Sequence, residues 1–283
     1  MDFRQWLQQA TARLVASDSP KRDAEILLGY ATGRSRTFIV AFDETQLSTD
    51  ERAKLEILLT RRQQGEPIAY IVGQREFWSL PLQVSPATLI PRPDTECLVE
   101  QALMRLPAEG TGNILDLGTG TGAIALAIAS ERPGYQVVGV DINPDAVELA
   151  LLNQHQLQIK NTKFIQSHWF SSLSSTQFDM IVSNPPYIDK EDEHLQQGDV
   201  RFEPLTALVA DLQGLSDLAW IIDHASDYLV NKGWLLLEHG WQQGEQVRQL
   251  FSQHGYHRIA TCQDYGLRDR VSVGQWKSDE KHS

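Results

Sequence analysis

A glycine-rich loop between two apolar segments constrains the fold of this chain more than any other feature. Residues 116–122 read Asp-Leu-Gly-Thr-Gly-Thr-Gly, after the apolar segment 113–117 and before the apolar segment 123–130. Glycines allow a tight turn and a close approach of the backbone to a ligand, and the first turn of a following helix offers unpaired N–H groups. The pattern therefore predicts a strand, a ligand-binding loop and a helix in succession.

Strand-like and helix-like segments alternate around this loop. Short apolar strands separated by helices are typical of a doubly wound, mainly parallel α/β sheet. We expect seven strands, near residues 113–117, 136–140, 163–166, 178–183, 234–238, 258–262 and 271–276. We expect helices near residues 94–106, 123–130, 144–154, 216–229 and 242–254.

The first 75 residues differ from the rest of the chain. Apolar residues recur there at helical spacing, Ser19-Pro20 predicts one helix start, and Ser48 with Glu51 predicts a capping box at another. Residues 77–93 alternate large apolar residues with breakers and predict a β-hairpin or an extended connector. We therefore expect a helical N-terminal domain over 1–75, a connector over 76–93 and an α/β domain over 94–283.

Charge and composition restrict the class of protein. The 283 residues include 25 basic and 37 acidic side chains, a net charge of −12. Residues 1–75 hold 11 basic and 10 acidic side chains, whereas residues 76–283 hold 14 and 27, so the larger part is poorly suited to binding nucleic acid alone. Two cysteines make no disulfide framework, and no apolar segment suits a membrane span or a secretion signal. We expect a soluble cytoplasmic protein without a metal, a membrane partner or a direct nucleic-acid partner.

An acidic residue follows the second predicted strand of the sheet. Asp141 lies where a carboxylate accepts hydrogen bonds from ribose hydroxyls, and it is also placed to cap the helix that begins near Pro144. The spacing Gly118-x-Gly120-x-x-Ala123 fits the dinucleotide pattern as well. Loop and acid together predict a nucleoside cofactor and leave open whether it is NAD or S-adenosylmethionine.

The tetrapeptide Asn184-Pro185-Pro186-Tyr187 follows the fourth predicted strand, where ligands bind in open α/β sheets. Prolines fix φ and donate no N–H, so this turn presents acceptors, namely the Asn184 side-chain oxygen and the Pro185 carbonyl. Two convergent acceptors fit a planar –NH2 group, with Tyr187 as a flat wall beside it. We predict that Asn184, Pro185 and Tyr187 take part in catalysis on an amide or aromatic amine nitrogen, without a nucleophilic side chain. An ordinary rigid turn is the alternative.

Together these motifs resemble class I S-adenosylmethionine methyltransferases, and most closely the glutamine methyltransferases that modify bacterial peptide chain release factors. The resemblance covers nearly the whole chain. It is carried by residues 65–70, 90–96, 116–122, 183–188, 198–204 and 237–240. It implies a Rossmann-like methyltransferase sheet, and it implies that the N-terminal helices contact the release factor.

The resemblance also implies a reaction and a set of residues. The reaction is methyl transfer from S-adenosyl-L-methionine to the side-chain amide of the glutamine in the Gly-Gly-Gln loop of a class 1 release factor, with S-adenosyl-L-homocysteine as product. The glycine loop would surround the methionine part, Asp141 the ribose and Trp169 the adenine. The implied cofactor-binding residues are Gly118, Thr119, Gly120, Thr121, Gly122, Asp141, Trp169 and Asn184. The implied substrate-binding residues are Asn184, Pro185, Pro186 and Tyr187.

Four further features of the sequence each allow more than one role. His168 stands where the family often has Asp, and only a neutral imidazole nitrogen can accept a hydrogen bond from the adenine amine. Arg92 is a candidate for holding a carboxylate or the substrate backbone, with a surface salt bridge as the alternative. Glu238 at a strand end is a candidate for lining the site, with capping or a structural pair as the equal alternative. The acidic run 189–193 fits a solvated flap better than a metal site.

Three other functions fit part of the sequence. A methyltransferase acting on adenine amino groups of DNA or RNA uses a similar turn but needs a basic face, which residues 76–283 do not show. A nicotinamide oxidoreductase explains the glycine loop and leaves residues 184–187 unexplained. A non-catalytic protein would bind the cofactor without producing a methylated product.

Overall fold

The N-terminal helices begin at residues that suit helix starts. In this computed structural model, which describes residues 1–278, Asp2 and Ser48 each accept the backbone N–H three residues on and complete a capping box. The predicted box at Ser48 is confirmed, whereas the Ser19 side chain makes no cap hydrogen bond before Pro20. The helices of this region are α1 (Phe3–Arg13), α2 (Pro20–Thr32), α3 (Arg36–Ala41), α4 (Thr49–Gln63) and α5 (Ile68–Val72).

The chain divides into two compact units, one of residues 1–74 with 193–202 and one of residues 75–192 with 203–278. Chain order led us to expect segment 193–202 in the α/β domain, but the structure groups it with the N-terminal helices. The Arg62 guanidinium explains this, because it donates to Asp23 at 2.7 Å and to Asp199 at 3.0 Å. Arg201 also donates to the carbonyl of Gln64 at 3.4 Å.

The predicted hairpin is confirmed between the helices and the sheet. Strands β1 (Gln74–Phe77) and β2 (Leu80–Gln83) pair with each other. Trp78 and Ser79 between them have φ values of 52° and 59°. Positive φ at both central residues is typical of a type I′ hairpin turn, whose twist matches that of the strands.

Nine further strands follow within the described residues 84–278. They are β3 (Gly112–Leu117), β4 (Tyr135–Asp141), β5 (Thr162–Gln166), β6 (Phe178–Ser183), β7 (Ile188–Asp189), β8 (Val209–Ala210), β9 (Leu229–Glu238), β10 (His257–Gln263) and β11 (Asp269–Gln275). Strands β7 and β8 form a small parallel pair of their own. The other seven form one sheet in the order β10-β11-β9-β6-β3-β4-β5.

The seven-stranded sheet is mainly parallel, which confirms the predicted fold class. Strands β9, β6, β3, β4 and β5 run parallel, whereas β11 pairs antiparallel with both β9 and β10. The helices are α6 (Glu96–Arg105), α7 (Ala123–Glu131), α8 (Pro144–Leu157), α9 (Asp211–Gly214), α10 (Ser216–Ala225) and α11 (Gly244–Gln253). Helices α6, α7 and α8 contribute to one buried apolar cluster, and α10 and α11 contribute to another.

The interior strand β3 is buried on both faces. Ile114 belongs to the first apolar cluster and Leu115 to the second, as expected where successive side chains point to opposite faces. From β3 the chain passes to β4 on one side, and β6 later pairs on the other side. Such a reversal of strand order opens a crevice at the carboxyl ends of the strands. The glycine loop, Asp141 and Asn184 all lie at these ends.

Candidate active site

The glycines of the loop after β3 serve two different purposes. Gly118, Gly120 and Gly122 have φ values of 70°, 54° and 81°, which favour glycine. A Cβ added at Gly118 or Gly120 would meet no heavy atom closer than 3.8 Å, so these two glycines face open space. A Cβ at Gly122 would lie 3.0 Å from the Phe164 ring, so Gly122 permits close packing at the start of α7.

The buried acid Asp116 at the end of β3 holds the glycine loop through hydrogen bonds. The Thr119 hydroxyl donates to Oδ2 of Asp116 at 2.6 Å, and the Thr119 N–H donates to the Val140 carbonyl at 2.8 Å. Burial raises the pKa of Asp116 to about 7, although the Thr119 hydrogen bond lowers it. Oδ1 of Asp116 has no hydrogen-bond partner among the described residues. The loop is therefore held to the ends of β3 and β4.

Asp141 at the end of β4 accepts two backbone hydrogen bonds. Gly120 N–H donates to Oδ2 and Asn143 N–H donates to Oδ1, both at 2.9 Å. Burial raises the pKa of Asp141, and these backbone bonds oppose the rise. The N-cap of α8 is Asn143 and not Asp141, because the Asn143 side chain accepts from Asp145 N–H. A carboxylate has about four acceptor positions, so Asp141 keeps capacity for further donors.

One cavity of about 420 Å³ lies over the loop, a size ordinary for small-molecule sites. All predicted cofactor-binding residues except Gly122 line it, and so does Pro186. Pro185 and Tyr187 are not among its lining residues. The open faces of Gly118 and Gly120, the Asp141 acceptor and the Trp169 ring together fit a nucleoside cofactor. Within residues 1–278, no cluster of His, Cys, Asp or Glu is arranged to hold a metal ion.

Aromatic side chains crowd one wall of the cavity. The ring centroids of Trp169 and Trp220 are 6.2 Å apart with nearly parallel planes, and His168 lies 6.2 Å from Trp220. Both His168 and Asp217 line the cavity. Burial raises the pKa of Asp217, and the nearby His168 lowers it. The sequence pattern indicates His168 but not Asp217, because Asp217 lies in the first turn of α10 and belongs to no motif.

The Asn184–Tyr187 turn is held by side chains from distant segments. Asn184 Nδ2 donates to the Thr95 hydroxyl at 3.3 Å, which leaves the Asn184 side-chain oxygen as the acceptor. The Tyr187 hydroxyl donates to Oε1 of Glu238 at 3.1 Å. Gln243 Nε2 donates to the Tyr187 carbonyl at 3.1 Å. Tyr187 is therefore an anchor of the turn, whereas the sequence predicted a wall beside the substrate.

No sequence motif predicts the contacts of Thr95 and Gln243 with the turn. Thr95 lies in the segment 90–96, one of those that carry the family resemblance, so a signal was present without a role attached to it. Gln243 belongs to no motif and precedes α11. Both contact the turn only because folding brings their segments to the end of β6.

Arg92 forms an ion pair with Glu203, and the second oxygen of Glu203 accepts Ile90 N–H at 2.9 Å. Arg92 therefore forms a salt bridge, as one of the two predictions for it stated, and it also lines the cavity. In the acidic run, Asp189 accepts Glu191 N–H at 2.8 Å and the following side chains are exposed. That geometry fits a solvated turn.

The sheet order, the glycine loop after β3, the acid after β4 and the Asn-Pro-Pro-Tyr turn after β6 together define a Rossmann-like methyltransferase. Two family models match the chain, the PrmC N-terminal domain over residues 5–73 and the methyltransferase small domain over residues 95–201. The chain belongs to the release factor glutamine methyltransferase family. It is 63% identical over 276 residues to the release factor glutamine methyltransferase of Escherichia coli strain K12, covering 98% of this chain and 99% of that protein.

Two further proteins show how far the similarity extends. The release factor glutamine methyltransferase of Yersinia pestis is 58% identical over 276 residues, covering 98% of this chain and 99% of that protein. A methyltransferase from Pyrococcus furiosus has a similar solved structure with a TM-score of 0.55. It is 16% identical, and the similarity covers 77% of this chain and 98% of that one. This last likeness shows the fold alone.

Proposed function

We propose that this protein transfers a methyl group from S-adenosyl-L-methionine to the side-chain amide nitrogen of the glutamine in the Gly-Gly-Gln motif of class 1 peptide chain release factors. The observation that carries this proposal is that the glycine loop, Asp141 and Asn184 open onto one cavity. Membership of the release factor glutamine methyltransferase family supports the choice of substrate.

The loop side of the cavity would hold the cofactor. Gly118 and Gly120 leave room for the methionine part, Asp141 accepts hydrogen bonds from the ribose, and Trp169 packs at the adenine. Thr119, Thr121 and Gly122 keep the loop in shape around it. When bound, the cofactor supplies an electrophilic methyl group on a sulfonium.

The turn side would hold the glutamine amide. An amide nitrogen is a weak nucleophile because its lone pair is delocalised, so alignment matters more than a base. The Asn184 side-chain oxygen and the Pro185 carbonyl accept the two amide hydrogens, and Pro186 and Tyr187 keep the turn rigid. In-line positioning contributes on the order of 7–11 kcal/mol in favourable systems. Hydrogen bonds that become charge-assisted contribute about 1.5–3 kcal/mol each.

The transfer balances without a nucleophilic side chain. Held by Gly118, Gly120 and Asp141, the cofactor would supply its methyl carbon to the amide nitrogen, and its sulfur would keep the electrons of the broken carbon–sulfur bond. The positively charged nitrogen then loses a proton to water. S-adenosyl-L-homocysteine and methylated glutamine are the products, and no metal takes part.

The N-terminal region would recognise a part of the release factor other than its Gly-Gly-Gln motif. Residues 1–75, together with segment 193–202, would form this recognition domain, with 76–93 as a connector and the rest of 94–283 as the methyltransferase domain. Residues 279–283 lie outside the described residues. No helix in the described part of the chain has the length and apolar character to cross a membrane. A substrate that acts in translation places the protein in the cytoplasm, with no membrane partner and no direct nucleic-acid partner.

Methyl-labelled cofactor, the full-length protein and a purified release factor test the proposal directly. We expect peptide mass spectrometry to locate the label on the glutamine of the Gly-Gly-Gln motif. A release factor with alanine at that glutamine is the control and should remain unlabelled. A parallel reaction contains DNA or RNA without release factor. Label on nucleic acid, or on another release factor side chain, would contradict the proposal.

A further inference from the structure

We propose that Glu238 is a positioning residue for methyl transfer, whose carboxylate orients both ends of the Asn184–Tyr187 turn. The inference rests on the proposed function, because it concerns how the substrate amide is held. It assigns Glu238 a role that the sequence left open between lining the site and forming a structural pair.

Glu238 is the last residue of β9 and is 1% exposed. Its Oε1 accepts the Tyr187 hydroxyl at 3.1 Å. The Thr95 side chain faces this carboxyl group and lowers its pKa, and the Thr95 hydroxyl oxygen accepts from Asn184 Nδ2 at 3.3 Å. One carboxyl group therefore contacts the last residue of the turn directly and the first residue through a single hydroxyl.

This connection sets the direction of the hydrogen bonds. An ionised carboxylate only accepts, so Thr95 must donate its one hydrogen to Glu238. The Thr95 oxygen is then left to accept, and Asn184 turns its –NH2 group toward it. The Asn184 oxygen consequently faces away from Thr95 and accepts from the substrate amide. The reverse orientation would place the Asn184 oxygen against the Thr95 oxygen, two acceptors with no hydrogen between them.

The surroundings of Glu238 do not explain its presence by stability alone. Its Oε2 has no hydrogen-bond partner among residues 1–278, although a buried unpaired oxygen is costly. The charged or titratable groups that face it are Tyr187, Arg270 of β11, Asp94 before α6, and Cys97 of α6. Arg270 is shared, because it also pairs with Asp264 at 3.0 Å and with Asp94 at 3.3 Å.

The same surroundings place the titration of Glu238 in an accessible range. Burial raises the pKa of Glu238 to about 7, while Thr95, Arg270 and Tyr187 lower it and Asp94 raises it. Burial raises the pKa of Cys97 to about 12, and it raises the pKa of Tyr187 further still, so neither loses its proton near neutrality. A protonated Glu238 can donate to Thr95, so the Thr95 hydrogen is no longer required to point toward Glu238 and the orientation of the Asn184 amide is no longer fixed. Turnover should therefore rise with pH through about 7.

The decisive experiment compares wild type with Glu238→Gln, measuring kcat, KM for release factor, cofactor Kd and the pH profile of kcat between about 6 and 9. We expect Glu238→Gln to lower kcat at pH 8 by at least about tenfold, which corresponds to about 1.4 kcal/mol. We expect its cofactor Kd to change less than about threefold and its kcat to lose the rise near pH 7. The exposed Glu245→Gln on α11 is the matched control.

A second pair of variants decides the matter if Glu238→Gln folds poorly. Thr95→Val removes the connecting hydroxyl and should lower kcat more than Thr95→Ser, which keeps it. A Glu238→Gln variant with wild-type kcat and an unchanged pH profile would overturn the inference, and so would equal kcat in the two Thr95 variants. The proposed function would still stand in either case if the wild-type protein labels the glutamine. Absence of that labelling by wild type would overturn both.

Discussion

The two sides of the cavity are built in different ways. On the loop side, the supporting hydrogen bonds join Thr119 to Asp116, Gly120 to Asp141 and Thr121 to Asn153, over separations of 3, 21 and 32 residues. On the turn side, the supports of Asn184 and Tyr187 come from Thr95, Glu238 and Gln243, which lie 89, 51 and 56 residues away.

The difference teaches that the loop side is nearly self-contained, whereas the turn side is assembled from separate segments. The loop and its supports fall within the consecutive elements β3, α7, β4 and α8. The turn gains its geometry only when α6, β9 and the start of α11 reach the end of β6. We therefore expect changes on the loop side to affect stability and cofactor affinity, and changes on the turn side to affect turnover.

The largest expected effect tests the loop side through Asn153. Its side chain is fully buried, donates to the carbonyls of Thr121 at 2.9 Å and Gln83 at 3.1 Å, and accepts Gln83 N–H at 2.7 Å. Asn153→Ala leaves buried backbone groups unsatisfied at about 1–3 kcal/mol each. We expect the free energy of unfolding in urea to fall by about 3 kcal/mol. The exposed Gln249→Ala should change it by less than about 0.5 kcal/mol. If Asn153→Ala lowers the free energy of unfolding as little as the control does, the proposed support of the loop by Asn153 is contradicted.

Asn184→Ala tests the turn side. Removing one group that acts on developing charge costs about 10²–10³ in turnover in a comparable setting. We expect kcat on release factor to fall about 100-fold, equivalent to about 2.7 kcal/mol, while cofactor Kd changes much less. Asn231→Ala, at an exposed position of β9, is the control. Near-normal turnover in Asn184→Ala would remove the proposed mechanism.

Asp141→Ala returns to the loop side. A hydrogen bond to a charged group contributes about 1.5–3 kcal/mol, and its loss should weaken cofactor binding at least about tenfold. Isothermal titration calorimetry with the cofactor measures this directly. The neighbouring exposed acid serves as control in Asp145→Ala, which should bind like wild type. An unchanged Kd in Asp141→Ala would reject the ribose assignment.

The smallest expected effect, taken per pH unit, is a slope of stability against pH that reports on Asp116. Its pKa is raised to about 7 in the folded protein, so between about pH 4 and 7 the folded state holds a proton that the unfolded state has lost. Wild-type stability therefore falls as pH rises toward 7. Asp116→Asn removes this dependence and should gain stability relative to wild type, by at most about 1.4 kcal/mol per pH unit. Urea unfolding at pH 5, 6, 7 and 8 measures the difference, and a constant difference would be inconsistent with a raised pKa.

The sequence predicted the elements well where local pattern decides them. The seven strands, the Ser48 capping box and the hairpin before α6 are all present. The prediction was weaker at β9, which begins at Leu229 and not near residue 234. Lys232 within it has a φ of 69°, and the pairing of β9 with β6 is irregular there. Such an irregularity depends on the neighbouring strand and leaves no local signal.

The sequence by itself determined the loop side of the site. The glycine run lies between an apolar strand and a helix, and the acid ends the next strand. Short-range geometry and a parallel sheet are enough to bring the loop and the acid together. Tertiary structure decided the rest: the pairing of Arg62 with Asp199, the placement of Asp217 in the cavity, and the side chains that aim Asn184. These contacts join residues far apart in the chain, and their directions depend on which hydrogen-bond partner each buried polar group finds. A local sequence pattern does not predict these partners. A polar group must be paired only once folding has buried it, because burial makes an unpaired polar group costly.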